Sequence, residues 1–253
     1  MRLVIDTETR SLKLGDSGTE LDLFGKEAFE LLSDLWLRTS WNQKYSYTFT
    51  WLGRPFIQHP EDMIRLQEIV YALKPDVIIE TGVAHGGSLV FNASVLHALG
   101  KGRVVGVDIE IRPHNRAAIE AHPLASMITL IEGNAVAPDV VAQVKALVEP
   151  GDVVLVLLDS DHSRAHVAAE LEAYGPLVSV GSYIAATDGI MRDVHDVPRG
   201  KPHWITDNPA TAANEFLARH PEFEMGPPPW PFNESDLDKP ITAHPDAWLK
   251  RLR

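Results

Sequence analysis

The sequence predicts an α/β protein built on a doubly wound, mostly parallel β-sheet. Five short apolar runs have strand character, and they alternate with segments whose apolar residues recur at helical spacing. Strands that alternate with helices of about 10–15 residues are typical of βαβ units, which build a parallel sheet. Such a sheet binds ligands at the carboxyl ends of its strands, so we expect the functional residues there.

The first predicted element of the alternating pattern is a helix over residues 61–73. It has acidic residues in its first turn and ends before Pro75. The strands are predicted at residues 77–80, 104–108, 127–132, 153–159 and 183–187. The helices between and after them are predicted at residues 86–99, 113–122, 137–148, 163–174 and 210–219. Asn208 and Pro209 supply an N-cap and a first-turn proline for the last helix.

Residues 1–60 are predicted to form an N-terminal extension or cap, and residues 61–253 a ligand-binding domain with an irregular C-terminal tail. Within the extension, residues 19–37 carry apolar side chains at spacings of three and four, which predicts an amphipathic helix. Its apolar face suggests a partner helix, and we expect a homo-oligomer. The aromatic stretch 39–51 is interpreted either as a packing segment or as a lid over a ligand pocket.

The composition excludes several classes of protein. The 23 basic and 35 acidic residues give a net charge of −12, which disfavours nucleic acid as a partner because phosphate contacts need clustered Lys and Arg. The sequence has no cysteine, so disulfides, thiolate chemistry and cysteine-bound zinc are excluded. No apolar run approaches the roughly 18 residues of a membrane span. The start of the chain lacks the features of a secretion signal, so we expect a cytoplasmic protein without a membrane partner.

The first predicted strand runs into a glycine-rich turn at residues 82–87. A dinucleotide fingerprint requires G-x-G-x-x-G, whereas Gly82 and Gly86 are too far apart, and no Lys-Ser/Thr pair follows as in a P-loop. These departures disfavour an NAD-dependent oxidoreductase. Glu80, at the end of the strand, would repel a pyrophosphate but suits a ligand that carries an ammonium group.

A second acid, Asp108, ends the next strand about twenty residues after the turn, where an acid can bind the hydroxyls of a ribose. S-Adenosylmethionine carries both an ammonium group and a ribose, so one acid for each of these groups indicates this cofactor. Asn134, after the third strand, is a candidate for the adenine edge. The other candidate cofactor-binding residues are Gly82, His85, Gly86, Ser88 and Asp159. Ordinary βα turns in some other α/β protein are the alternative.

The fourth predicted strand ends in two carboxylates, Asp159 and Asp161, followed by His162. Asp188 closes the fifth strand and should lie nearby in a parallel sheet. Asp159 and Asp188 could hold a hard divalent cation such as Mg²⁺, and His162 would then accept a proton as the general base. Asp161 is a further candidate metal ligand, or alternatively the N-cap of the next helix.

The positions of the histidines show whether the sequence could form an iron site of the oxygenase type. A 2-His-1-carboxylate site needs H-x-D spacing and a second histidine further along the chain. The sequence offers only His244-Pro-Asp246, with no histidine after it. An iron oxygenase is therefore disfavoured.

A set of short motifs runs through residues 45–200. They are W-x-G-R at 51–54, Q-x-P-x-D at 58–62, K-P-D at 74–76, E-T-G at 80–82, H-G-G-S at 85–88, D-S-D-H at 159–162 and T-D-G at 187–189. With them the chain resembles the cephalosporin hydroxylase/rhamnosyl O-methyltransferase family. The resemblance implies a class I methyltransferase fold, which is Rossmann-like and has a seven-stranded sheet with a reversed last strand. It also implies binding of S-adenosylmethionine and Mg²⁺ and methylation of hydroxyls of sugars or other small natural products.

Carried over to this sequence, the family's metal acids fall on Asp159 and Asp188, and its histidine base falls on His162. Related metal-dependent methyltransferases commonly have two adjacent oxygen ligands here, whereas this chain has Thr187-Asp188 or Asp188-Gly189. The resemblance therefore leaves three alternatives for the lost carboxylate: weaker metal binding, use of Asp161 as a ligand, or no metal. Residues 189–207 follow this strand and are predicted, with Trp41, Tyr45 and Tyr47, to form the acceptor walls. A solvated charged loop is the alternative.

The function predicted from these residues and this resemblance is S-adenosylmethionine-dependent, Mg²⁺-dependent O-methyl transfer. The acceptor is predicted to be a hydroxyl of a small natural product, such as a sugar or an antibiotic intermediate. The alternative hypothesis is a cofactor-binding partner protein in a biosynthetic complex of the cephamycin hydroxylation and methoxylation type, with little activity alone.

Overall fold

Seven strands form the central sheet of the computed structural model, which describes residues 2–15 and 18–253. Met1, Asp16 and Ser17 belong to the predicted N-terminal extension and lie outside the described residues. The extension precedes the sheet and contains more strand than the sequence predicted.

The described part of the extension begins with a three-stranded antiparallel sheet and continues into one long helix. These elements are β1 (Leu3–Asp6), β2 (Ser11–Leu14), β3 (Thr19–Asp22) and α1 (Lys26–Asn42). The predicted start of the helix at residue 19 is therefore wrong. Residues 19–22 pair with β2 as an antiparallel strand. Asp22 then accepts a hydrogen bond from the Phe24 amide over 3.0 Å, which turns the chain before the helix.

A short hairpin follows, made of β4 (Thr50–Trp51) and β5 (Arg54–Pro55). The Trp51 ring packs edge-on against Phe91 at 4.9 Å, and its Nε1 donates a hydrogen bond to Ser94 over 3.0 Å. This part of the aromatic stretch is therefore a packing segment that fastens the extension to the main domain.

The main domain alternates helices and strands as the sequence predicts. In chain order its elements are α2 (Pro60–Leu73), β6 (Val77–Thr81), α3 (Gly87–Leu99), β7 (Arg103–Asp108), α4 (Pro113–Glu120), β8 (Ile128–Glu132), α5 (Pro138–Ala146), β9 (Val154–Leu158), α6 (Arg164–Tyr174), β10 (Tyr183–Ala186), α7 (Pro209–Leu217), β11 (Phe223–Met225) and β12 (Trp248–Arg251). Each predicted strand and helix of this domain is confirmed to within two residues at either end. Strands β11 and β12 were not predicted from the sequence.

The strand order in the sheet is β11-β12-β10-β9-β6-β7-β8. Strands β6 to β10 run parallel, whereas β12 is antiparallel to both of its neighbours. This is the seven-stranded sheet with one reversed strand that the family resemblance implied. The carboxyl ends of the parallel strands therefore lie along one edge.

Helices cover both faces of the sheet, as a parallel sheet requires. On β6, Val77 and Ile79 point into one buried cluster with residues of α5, α6 and α7, whereas Ile78 points into the opposite cluster with residues of α2 and α3. Full burial of such an aliphatic side chain contributes about 1.5–3 kcal/mol. The two apolar layers fix the positions of the strand ends that carry the polar residues.

Helix α1 also packs within the chain. Leu37 belongs to a third apolar cluster with Ile190 and Val194, from the 3₁₀-helical turns after β10. The expected homo-oligomer stays a prediction. Among residues 2–15 and 18–253, no helix is both long enough and apolar enough to cross a membrane.

Candidate active site

The glycine turn between β6 and α3 lets other parts of the chain approach its backbone. Gly82 has a φ of +92°, and a Cβ there would lie 2.0 Å from the carbonyl oxygen of Asp159, just after β9. A Cβ at Gly87 would lie 2.0 Å from the carbonyl oxygen of Pro55. The sequence suggested that these glycines make room for a ligand. The structure shows that they also admit the β9 turn and the hairpin, which any side chain would block.

Arg54 ties the hairpin to the same turn. Its Nε donates to the carbonyl oxygen of His85 over 2.9 Å, and its Nη2 donates to Asn115 Oδ1 over 3.0 Å. Asn115 donates in turn to the carbonyl oxygen of Ala84 over 2.9 Å. The backbone of the turn is thus held from two sides. The predicted contact of His85 with a cofactor stays a prediction.

Glu80 lies near the end of β6 and is 1% exposed. Its carboxylate accepts hydrogen bonds from the Ser88 hydroxyl and from Asn92 Nδ2, the latter over 3.0 Å. Burial and the nearby charge of Asp159 raise the pKa of Glu80 to about 8, although the two hydrogen bonds act in the opposite direction. This carboxyl group is therefore mostly neutral at pH 7, and a cation beside it would favour its charged form.

Asp108 and Asn134 follow the same edge of the sheet, at the ends of β7 and β8. Asp108 Oδ2 accepts hydrogen bonds from the backbone amides of Val83 over 2.8 Å and Ala84 over 3.2 Å. Asn134 is exposed, and its Oδ1 accepts a hydrogen bond from the amide two residues further on. Since β6, β7 and β8 are neighbours, the candidate cofactor residues lie in this order along the carboxyl edge.

Asp159, His162 and Asp188 form a cluster at the carboxyl ends of β9 and β10. One possible ligand atom from each lies within 4.8 Å of the other two, and His162 Nε2 is 3.4 Å from Asp188 Oδ2. Burial, and then the charge of Asp188, raise the pKa of Asp159. The charge of Asp188 therefore disfavours the ionisation of Asp159, and a bound cation would oppose that effect.

Asp161, the third predicted metal ligand, is not brought into this cluster. Its Oδ1 accepts a hydrogen bond from the Ser163 amide over 2.7 Å, and hydrogen bonding by Ser163 lowers the pKa of Asp161. Ser163 is the N-cap of α6, since its hydroxyl accepts a hydrogen bond from the His166 amide. Asp161 thus shapes the start of α6, and His162 is the third member of the cluster.

Thr187, which stands in the position of an acid, contacts the cluster without adding charge. Its hydroxyl forms hydrogen bonds with the Asp159 carboxylate and, over 2.9 Å, with the carbonyl oxygen of Leu158. Thr187 therefore orients Asp159.

Sequence reasoning missed His244 and Asp62 as parts of this region. His244 is 7% exposed, and its Nδ1 accepts a hydrogen bond from the Asp188 amide over 2.9 Å. Asp62, in the first turn of α2, accepts hydrogen bonds from the Thr242 hydroxyl and, over 2.9 Å, from the Ala243 amide. In the sequence, His244 stands out only as a possible iron ligand, and Asp62 only as an acid of the first helical turn and the end of the Q-x-P-x-D motif. No pattern in the sequence indicates that residues of the tail contact the end of a distant strand.

Two small cavities adjoin the cluster, and His244 lines both. One, of about 20 Å³, separates Glu80 from Asp159. The other, of about 50 Å³, lies beside Asp188 and is lined partly by Trp41 and Tyr47. Tyr45, the third aromatic residue predicted to line the acceptor site, instead packs edge-on against Trp36 and Phe49. A larger cavity of about 720 Å³, between α2 and residues 230–241, contains none of the predicted site residues.

Methyltransferases are among the solved structures that match this fold. CmcI in complex with Mg and SAM matches with a TM-score of 0.54 and 18% identity, covering 82% of this chain and 78% of CmcI. An O-methyltransferase from Bacillus cereus in complex with SAH matches with a TM-score of 0.50 and 19% identity, covering 80% of this chain and 84% of that protein. At such identities the likeness establishes the class I methyltransferase fold, which is confirmed.

Curated relatives are closer in sequence. A rhamnosyl O-methyltransferase of Mycobacterium leprae is 34% identical over 155 residues, which are 60% of this chain and 65% of the relative. Its counterpart in Mycobacterium tuberculosis strain H37Rv is 31% identical over 143 residues, 55% of this chain and 56% of the relative. The aligned parts thus span less than two thirds of these relatives.

The match to a family model is broader. The model described as rhamnosyl O-methyltransferase/CmcI matches residues 43–252, which include every candidate cofactor-binding, metal-binding and catalytic residue named above. The predicted family is thereby confirmed: the chain belongs to the rhamnosyl O-methyltransferase/CmcI family.

Proposed function

We propose that this protein transfers a methyl group from S-adenosylmethionine to a hydroxyl of a small natural product, such as a sugar or an antibiotic intermediate, with the help of Mg²⁺. The observation that carries the proposal is the Asp159–His162–Asp188 cluster beside the glycine turn after β6. Membership of the family supports the reaction class, and the names of the curated relatives favour a sugar hydroxyl as the acceptor.

The cofactor is proposed to lie along the carboxyl edge of β6, β7 and β8. Glu80 would face the ammonium group, Asp108 the ribose and Asn134 the adenine. The raised pKa of Glu80 supports the first contact, because a cation in this buried position would stabilise the carboxylate. The turn residues proposed to surround the methionine part are Gly82, His85, Gly86 and Ser88.

Asp159 and Asp188 are proposed to hold the metal ion, with His162 within reach of it. Their oxygens suit Mg²⁺, and the mutual repulsion that raises the pKa of Asp159 is the effect a cation would remove. When bound, a divalent cation supplies positive charge that stabilises the acceptor oxygen as it loses its proton.

His162 is proposed to accept the proton of the acceptor hydroxyl at Nε2. Asp188 Oδ2, 3.4 Å away, would stabilise the positive charge that the ring then carries. Because methyl transfer depends chiefly on alignment, the packed turns after β6 and β9 contribute by fixing the cofactor relative to this base.

Substitution of His162 tests the proposal. In His162→Ala we expect transfer of labelled methyl groups to a panel of rhamnosides and related hydroxylated compounds to fall about 10²–10⁴-fold, the usual contribution of a general base. Calorimetry should show unchanged affinities for S-adenosylmethionine and for the metal.

The matched control is His166→Ala, which removes a second histidine four residues along, paired with Glu170 at 3.4 Å. This variant should keep its turnover. Loss of cofactor affinity in His162→Ala would contradict the role of a base, and selective loss of metal affinity would make His162 a ligand instead.

The alternative, a cofactor-binding partner protein with little activity of its own, is not favoured by these comparisons.

A further inference from the structure

The turn that carries Asp188 has a backbone conformation that needs support. Asp188 has a φ of +61°, in the left-handed region that side chains with a Cβ disfavour. The next residue is Gly189, where a Cβ would lie 2.2 Å from the carbonyl oxygen of Pro245. The Ile190 amide donates to the carbonyl oxygen of Ala243 over 3.1 Å. Residues 243–245 of the C-terminal tail therefore clamp this turn.

His244 lies at the centre of the clamp. The Asp188 amide donates to its Nδ1 over 2.9 Å, a hydrogen bond that requires Nδ1 to carry no proton. Nδ1 also lies 3.6 Å from Asp188 Oδ1. Nε2 has no hydrogen-bond partner among the described residues. The amide of Asp188 is therefore the group that this buried ring holds.

Asp62 fixes the ring's own segment from the opposite side. This acid is 5% exposed, and its two carboxylate oxygens accept separate hydrogen bonds, one from the Thr242 hydroxyl and one from the Ala243 amide. Asp62 Oδ2 lies 3.9 Å from His244 Nε2. A continuous chain of contacts thus runs from the first turn of α2, through the tail, to Asp188.

We propose that His244, anchored through Asp62, is a positioning residue that fixes the left-handed turn of Asp188 and thereby directs its carboxylate toward Asp159 and His162. The inference rests on the proposed function, since it assigns Asp188 to the metal. It gives a role to the contact between the tail and the sheet edge, because Asp188 is the carboxylate that the turn after β10 brings to the cluster.

A pair of amide variants tests this role. In His244→Asn the side-chain oxygen can take the position of Nδ1 and accept a hydrogen bond from the Asp188 amide. In His244→Gln the longer side chain places its oxygen near the position of Nε2, away from that amide. His244→Ala removes the acceptor altogether. All three variants lose the imidazole, so they share any loss of packing. Thermal unfolding and S-adenosylmethionine binding by the metal-free protein report on the fold and the cofactor site.

The readout is Mn²⁺ binding, followed through the electron paramagnetic resonance signal of the free ion. We expect His244→Ala and His244→Gln to bind Mn²⁺ at least about 10-fold more weakly, as is usual when an outer partner of a metal ligand is lost. His244→Asn should bind it nearly as tightly as the wild type. S-Adenosylmethionine affinity should stay unchanged in all three variants.

Equal Mn²⁺ affinity in the Asn and Gln variants, or wild-type affinity in His244→Ala, would overturn the positioning role and leave the proposed function intact. A wild-type protein that binds no Mn²⁺ would instead overturn the metal assignment itself, and the role of His244 with it.

Discussion

At the scale of single residues, the site holds two carboxyl groups in surroundings that disfavour their charge. Glu80 is buried beneath the glycine turn, and Asp159 lies between Glu80 and Asp188. Such groups reduce the stability of the empty protein and are typical of sites that bind a cation. The cations we propose are the ammonium group of the cofactor for Glu80 and the metal ion for Asp159.

The pH dependence of stability tests the state of Glu80. Burial raises its pKa from the ordinary 4.5 to about 8. Between these values the unfolded chain has released a proton that the folded protein still holds, so stability should fall as the pH rises through this window. In Glu80→Gln this decline should be reduced by about 2 kcal/mol or more, since one pKa unit corresponds to about 1.4 kcal/mol.

Urea unfolding of the ligand-free protein at pH 5 and pH 8 measures the effect. The glutamine can be accommodated, because Asn92 Oδ1 is buried, has no hydrogen-bond partner among residues 2–15 and 18–253, and could accept a hydrogen bond from the new amide. Glu224→Gln, a change at an exposed position in β11, is the control and should follow the wild type. If Glu80→Gln also loses stability as steeply as the wild type, Glu80 is charged in the folded protein and our description of it is wrong.

At the scale of elements, the site depends on contact between two turns that belong to different βα units. The backbone after β6 touches the backbone after β9, because Gly82 lies against the carbonyl group of Asp159. The Asp159 amide also donates to the carbonyl oxygen of Thr81 over 2.8 Å. The glycine turn and Asp159, the proposed metal ligand, are therefore positioned by the same pair of backbone contacts.

Substitution of Gly82 by alanine should disrupt this contact. The added Cβ would overlap the Asp159 carbonyl oxygen, and the left-handed φ adds strain. Gly151→Ala is the matched control, with a φ of +96° and no atom within 4 Å of the added Cβ. We expect Gly151→Ala to cost about 1–2 kcal/mol of unfolding free energy and Gly82→Ala about 4 kcal/mol, with weaker Mn²⁺ binding.

Urea unfolding and Mn²⁺ titration of both variants give the comparison. Equal losses of stability, with metal affinity retained in Gly82→Ala, would mean that the turn after β9 is positioned by other contacts.

The elements that sequence reasoning located are those with a local signal. Strands β6 to β10 were predicted because each is a short apolar run, and their helices because apolar residues recur at helical spacing. The parallel order then brought Asp159, His162 and Asp188 to one edge. Strands β3, β11 and β12 have three or four residues with charged side chains among them, so no apolar run marks them. The role of His244 was missed because its contact with Asp188 joins positions 56 residues apart through a tail without regular structure.

At the scale of the whole molecule, several contacts join the extension to the main domain across the predicted boundary at residue 60. Phe56 packs against Phe91 at 5.2 Å, and Arg54 holds the glycine turn. From the other side, Arg38 of α1 pairs with Asp196 at 2.6 Å. The family match likewise begins at residue 43, within the predicted extension. The aromatic hairpin and the end of α1 are therefore parts of the candidate site's surroundings.

The net charge of −12 suits the small cationic ligands that we propose. The central claim is that the carboxyl edge of the sheet binds S-adenosylmethionine, with Glu80 facing its ammonium group. Calorimetric titration of S-adenosylmethionine into the wild type and into Glu80→Ala, with and without Mg²⁺, tests the claim most directly. We predict one-to-one binding that weakens about 10-fold or more in Glu80→Ala, the usual effect of losing a hydrogen bond to a charged group. Absence of binding by the wild type under both conditions would contradict the account.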